Sequence, residues 1–312
     1  MKNSLLLLLL ILIVSCNNTS DKEIDTDPSA SAEYYQAIGL LGDTLRSAPP
    51  SEKLLQRYLE KKKIYDNAPE NLDNLIWFGR FTAYTGDYRK AIEIYSEGLK
   101  KFPDESRLLR HRGHRYISVR EFDKAIEDLS KAASLIEGKA NRTEPDGMPN
   151  ARNIPVSTMH GNIYYHLGLA YYLKQDMQNA LIAYKKCLET SPSPDNVVSA
   201  THWIYMINRR MGRLETADQY LKNITEDMDV IENEAYHTAC LVYKGLIRPE
   251  NVYEAGTVGS PSGSALKYAI GNWHYYNGER KKAKQIYEDI VSGEDWASFG
   301  YIAAESDLNS YF

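Results

Sequence analysis

The sequence predicts an all-α fold, a right-handed superhelical array of antiparallel helix pairs. Three observations carry that expectation. Gly79 and Gly113 stand 34 residues apart, as do Ala91 and Ala125, and as do Pro69 and Pro103. Each glycine precedes its alanine by 12 residues, and the pair returns as Gly168/Ala180 and Gly271/Ala283. One turn after three of these alanines comes a tyrosine, Tyr95, Tyr184 and Tyr287. A fixed period long enough for two helices and a turn is the mark of stacked repeats.

The residue types follow from packing. Two helices approach closely only where neither carries a bulky side chain, so Gly79 and Ala91 clear a crossing and Tyr95 fills the groove beside it. Tyr84-Thr85-Gly86-Asp87 is the turn between them, with Gly86 free to take a positive φ. Pro103 lacks an N–H and disfavours a helical residue before it, which ends the second helix.

These positions resemble the tetratricopeptide repeat. Leu75, Gly79, Ala91, Tyr95 and Pro103 match its pattern in one copy. Tyr164, Leu167, Gly168, Tyr171, Ala180, Tyr184 and Pro192 match it more fully in another. The copy containing Gly113 departs from it, with Arg112 where an apolar residue is usual and no closing proline.

Along the chain, a degenerate leading repeat is expected over about 31–69, with amphipathic helices at Ser31 to Arg46 and Ser51 to Asp66. Repeats follow at 72–103, 106–137, 161–192, 197–226 (Ala217 in the alanine place, Tyr205 in the glycine place), 229–262 (degenerate) and 264–295. A closing helix spans 296–308, and no strands are expected. Terminal repeats are expected to be atypical because one face lacks a neighbour. Residues 138–159 hold three prolines and two glycines without helical period, which predicts a loop. The distance from Ala125 to Ala180 is one period plus 21 residues. A tolerated surface insertion is the expected reading, and a functional loop is the alternative.

The N-terminus stands apart. Lys2 precedes an apolar run from Leu5 to Val14, too short to cross a bilayer, which takes roughly 20 residues. It ends Ile13-Val14-Ser15-Cys16, which resembles the lipobox of bacterial lipoproteins. The resemblance implies a signal peptide over 1–15, lipidation of Cys16, and an exported protein of the outer membrane, its face undecided. Residues 16–30 are polar and are expected to be a disordered tether. Cys187 and Cys240 are expected to pack rather than pair.

Length and composition suit one stacked body, with 43% hydrophobic residues and 24 tyrosines to fill it. A net charge of −5 argues against general nucleic-acid binding, which needs a basic face. The oligomeric state is not legible.

In the resembled family, ligand contacts flank the glycine place on first helices, the inner lining of the coil. Carried onto this chain, that lining comprises Arg80, Tyr84, Arg107, Arg110, His114, Asn162, Tyr165, Tyr172, His202, Arg209, Arg210, Tyr268, Asn272 and Tyr276. It is cationic and aromatic in an acidic chain, which suits an extended acidic peptide. The alternative is that these arginines pair with acidic neighbours and form a solvated face. Ile76 and Arg80 stand where the family's two-carboxylate clamp needs Lys and Asn, so that partner is not expected. His111 and His114 are expected on the helix surface, with no third metal ligand at hand. No catalytic, cofactor or metal motif is present. The expected function is a membrane-tethered scaffold that binds another protein or peptide without catalysis. A small-molecule or glycan-binding lipoprotein, with 138–159 as lid, is the alternative.

Overall fold

The computed structural model describes residues 35–255 and 261–312. The expected signal peptide, Cys16, the whole tether and residues 31–34 of the leading segment therefore lie outside the described residues. No described helix is long and apolar enough to cross a membrane.

Helix pairs dominate. They are α1 (Glu52–Asn67), α2 (Leu72–Tyr84) with α3 (Tyr88–Lys101), α4 (Ser106–Ser118) with α5 (Phe122–Ile136), and α6 (Met159–Leu173) with α7 (Met177–Glu189). Next come α8 (Pro194–Arg210) with α9 (Leu214–Leu221), then α10 (Glu234–Tyr243), which packs on α8 and α12, and the short α11 (Pro249–Ala255). The last are α12 (Pro261–Tyr276) with α13 (Arg280–Val291), and α14 (Phe299–Tyr311). Short polar side chains cap several starts. Asp87 accepts from the Lys90 N–H at 3.0 Å, and Asp176 from that of Asn179 at 3.1 Å.

The glycines set the pair geometry directly. A methyl group on Gly79 would lie 2.5 Å from Tyr95 Cε1, and one on Gly168 would lie 2.8 Å from Tyr184 Cδ2. Gly271 sits in the same way under Tyr287, whereas Gly113 sits under Leu129. Ala91, Ala125, Ala180, Ala217 and Ala283 are fully buried.

One expectation is overturned. The described part of Ser31 to Arg46 is an antiparallel hairpin, β1 (Tyr35–Ile38) and β2 (Thr44–Arg46), not a helix. Gly42 takes φ +95° in its turn, and two glycines inside a helix would each cost about 1 kcal/mol. Tertiary contacts then fix the hairpin: Gln36 Oε1 accepts from the Arg89 N–H at 3.1 Å, and Leu45 is buried.

The turn inside each pair carries a left-handed residue, Gly86, Arg120, Gln175, Gly212 and Gly278, and Gly245 takes the same conformation after α10. The two that are not glycine both reach α14. Arg120 Nε donates to Glu305 at 2.8 Å, and Gln175 Nε2 donates to Asp307 Oδ1 at 3.1 Å. Thus α14 does more than cover one end. It lies within the coil, with Ser306 donating to the Leu173 carbonyl at 2.7 Å and Asp307 accepting from Tyr268 at 2.8 Å. The first-to-last contact closes the array: Leu40 N–H donates to Glu305 at 2.9 Å and Trp296 Nε1 to the Arg46 carbonyl at 2.7 Å.

Candidate binding pocket

The insertion at 138–159 is largely exposed, as a surface insertion is expected to be, but it buries Glu144 and Asp146 against the helices. Its base is zipped by a Thr143–Thr158 bridge, and the Met159 N–H donates to the Arg142 carbonyl at 3.0 Å. Its outer part is held by Arg152, which pairs with Asp229 at 2.6 Å, and by Asn150 on Glu232 at 2.7 Å. So pinned, the loop turns its only two acids, Glu144 and Asp146, inward onto α4.

There they meet the arginines. Asp146 is fully buried; it accepts from Arg107 Nε at 3.0 Å and Arg110 Nη2 at 3.4 Å, with Arg80 at 3.7 Å. Arg110 also pairs with Glu144, which bonds Asn162. Arg107 reaches Asp73 at 2.8 Å as well. Arg107 and Arg110 are thus ion-paired, but in a buried network rather than on a solvated face. The pairing came from a distant loop, which no spacing on α4 could show.

His111 is not a surface residue either. It is 4% exposed, stacked on Tyr95 and bonded through Nε2 to Asp146. Burial, followed by the neighbouring Arg110 charge, holds its pKa well below the ordinary histidine value. The neutral ring with hydrogen on Nε2 satisfies both contacts, since Nδ1 then accepts from Arg110 Nη1 at 3.2 Å. Burial alone would raise the Asp146 carboxyl, yet the His111 bond and the Arg110 and Arg107 charges pull it far below its usual range. The ligand atoms of His111, Glu144 and Asp146 lie within 4.8 Å of one another, a spacing a cation could use. Guanidiniums already meet both carboxylates, so a metal would have to displace them.

Beside this network the coil encloses a cavity of about 600 Å³. Of the predicted lining residues, Arg80, Tyr84, Arg110, His114, Asn162 and Tyr165 face it, joined by His166, Tyr236 and Phe299. The rings of His114 and His166 pack at 4.3 Å, tilted by 42°, and burial lowers both pKa values, that of His166 to about 3. Arg107 stands behind the network.

The remaining predicted residues lie elsewhere. Tyr172, Tyr268, Asn272 and Arg210 form a second buried cluster around Asp307: Arg210 Nη1 donates to Asp307 at 2.9 Å and Arg210 Nε to Asn272 at 2.7 Å. Tyr172 and Tyr268 share a hydrogen bond at 2.6 Å. His202 is buried between Tyr236 and Tyr243, its pKa pushed down by burial to about 3. Arg209 stacks over Tyr276 at 4.4 Å, near the exposed side of the coil. An open channel for an extended peptide therefore does not run through these positions, because the loop fills one part and α14 the other. Both buried cysteines, Cys187 and Cys240, are free thiols. Burial raises that of Cys187 to about 12.

Comparison with known proteins agrees with the helix-pair architecture. The chain is 28% identical over 156 residues to BBSome complex member BBS4 of Bos taurus, covering 50% of this chain and 25% of that protein. It is 25% identical over 240 residues to tetratricopeptide repeat protein 12 of Homo sapiens, covering 76% of this chain and 29% of that protein. The chain thus spans less than a third of the curated relatives it matches. Among solved structures it is similar to a tetratricopeptide repeat protein from Parabacteroides merdae, with TM-score 0.47, 18% identity and 80% and 92% of the two chains covered. It is also similar to YrrB, described as a TPR protein with an unusual peptide-binding site, with TM-score 0.41, 16% identity and coverage of 74% and 91%. Residues 161–194, which hold Gly168, Ala180 and Tyr184, match the tetratricopeptide repeat family.

Proposed function

We propose that this protein is a non-catalytic repeat scaffold, exported and tethered to a bacterial outer membrane through a lipid on Cys16, that holds a short segment of another protein in the loop-covered pocket. The observation that carries the reading is the convergence of arginine, histidine and tyrosine side chains on one cavity of about 600 Å³ inside the coil. Binding sites are commonly concave, largely preformed and of this size. A volume of about 600 Å³ suits a few residues or a chain end rather than a long extended strand. One relative is named as a complex member, which agrees with a protein partner.

Enclosure by the loop supports a second reading, a small-molecule or glycan receptor with residues 138–159 as lid. Crosslinking from intact cells followed by purification separates the two. A stoichiometric partner lost on Asp146→Asn supports the first. No protein partner, with a melting temperature raised by a metabolite or glycan, supports the second. If neither occurs, the pocket is not a receptor. For the anchor, labelled palmitate should enter the wild-type chain and not Cys16→Ala; equal labelling of both would refute it.

A further inference from the structure

We propose that the pocket under the loop binds a carboxylate and that Arg115 is the residue that receives it, an inference resting on the pocket being the binding site. The argument is one of charge matching. Arg107 has Asp73 and Asp146, Arg110 has Glu144 and Asp146, and Arg80 has Asp146. Arg115 lines the same cavity and has no ion pair among the described residues. Its guanidinium lies 5.5 Å over the ring of Tyr88, a contact that leaves its N–H groups free for an acceptor.

Nothing else on that wall supplies the missing negative charge. Burial lowers the pKa of Arg115, and the groups that act on it next are Tyr88, Tyr95, Tyr84 and then Arg80. Arg80 Nη1 is itself shut from solvent without a hydrogen bond. The histidines of the pocket are held neutral by burial and add no positive charge. Glu232, the other acid lining the cavity, is exposed and bonded to Asn150. Arg115 is half-buried and stays protonated, so its charge is met by water or by a ligand.

One unmatched positive charge calls for a single negative one. A carboxylate fits the planar fork of a guanidinium with two parallel bonds. A phosphate dianion would bring surplus charge close to Glu144 and Asp146. Apolar side chains line the same cavity, Pro145, Met148, Pro155 and Val156 from the loop and Phe299 beside His114. The ligand is therefore an acid with an apolar body. It can be a free organic acid or the end of a peptide chain.

Calorimetry on the full chain, with 3-phenylpropionate, acetyl-Leu-Phe bearing a free C-terminus, and the primary amide of each, tests this. At least one acid should bind, with its amide at least tenfold weaker. Arg115→Gln should weaken the acid at least tenfold without lowering the melting temperature, and Arg115→Lys should keep part of the affinity. Binding of only the first acid assigns a small-molecule source, and of only the second a chain end. Equal binding of acid and amide, or of acid by Arg115→Gln, overturns the carboxylate assignment and leaves the pocket reading standing. No acid binding at all overturns it too, and the crosslinking experiment then judges the pocket separately. A large fall in the melting temperature of Arg115→Gln with unchanged affinity would make Arg115 structural.

Discussion

Asp307 accepts a hydrogen bond from Arg210 Nη1 at 2.9 Å across 97 residues of sequence, and the carboxylate is fully buried. The pair fastens α14 to α8 inside the coil, with Tyr268 and Gln175 satisfying the remaining lone pairs. Removing one member strands the other charge, which typically costs about 3–5 kcal/mol. Asp307→Ala should lower the urea midpoint accordingly, and adding Arg210→Leu should recover part of the loss. A single substitution with an unchanged midpoint would show that the pair contributes nothing.

Gly168→Ala sets two effects against each other. Alanine in a helix gains about 1 kcal/mol over glycine. The added methyl would meet the Tyr184 ring, which is stacked on Trp203 at 5.5 Å and cannot swing aside. Overpacking of this kind costs about 1–3 kcal/mol, so the net change is destabilising. Thermal unfolding decides the sign; a raised melting temperature would contradict the close-packing account.

Asp146 is the loop's main anchor. Asp146→Asn should leave Arg80, Arg107 and Arg110 with only Asp73 and Glu144 between them and release the loop from α4. Arg142 and Arg152 are exposed, so limited trypsin digestion should cut the variant there at least several-fold faster than the wild type. Far-ultraviolet circular dichroism should change little. Equal cleavage rates would mean the loop stays docked without its carboxylate.

Stability should fall on acidification. His166 and His202 are buried neutral with pKa values of about 3, whereas the unfolded chain takes the proton at about 6.5. Below that pH the unfolded state binds more protons, so stability is complete above about 6.5 and lost as pH falls. Each histidine contributes a loss of about 2 kcal/mol between pH 6.5 and 5. His202→Phe should flatten the dependence of melting temperature on pH by one proton's worth. The low carboxyl pKa of Asp146 acts in the same direction at lower pH. An unchanged slope in the variant would refute the assignment.

What the sequence shows is the part of the structure made by local repetition. Gly79, Gly168 and Gly271 announce the crossings because the repeat geometry demands a missing side chain there each time. The hairpin was illegible because its short strands are fixed by Gln36 and Leu45 meeting other parts of the chain, although Gly39 and Gly42 signal against a helix. The pocket was half legible. Its arginines and tyrosines stand at predictable places, but their partners Glu144 and Asp146 come from a segment with no periodicity. Arg115 is not legible in the sequence because its distinction is a lack of counter-charge, which only three-dimensional placement reveals. Arg120 and Gln175, at turn positions where glycine is the cheaper residue, were the available clue to α14.

The contact between residue 40 and residue 305 alters how force and heat travel through this molecule. A linear stack of repeats can fray from either end, each unit melting almost independently. Here both ends of the stack lean on each other, so neither can peel away alone. Pulled from its two extremities, the coil should resist as a buckled ring does, yielding in one break instead of stretching like a spring.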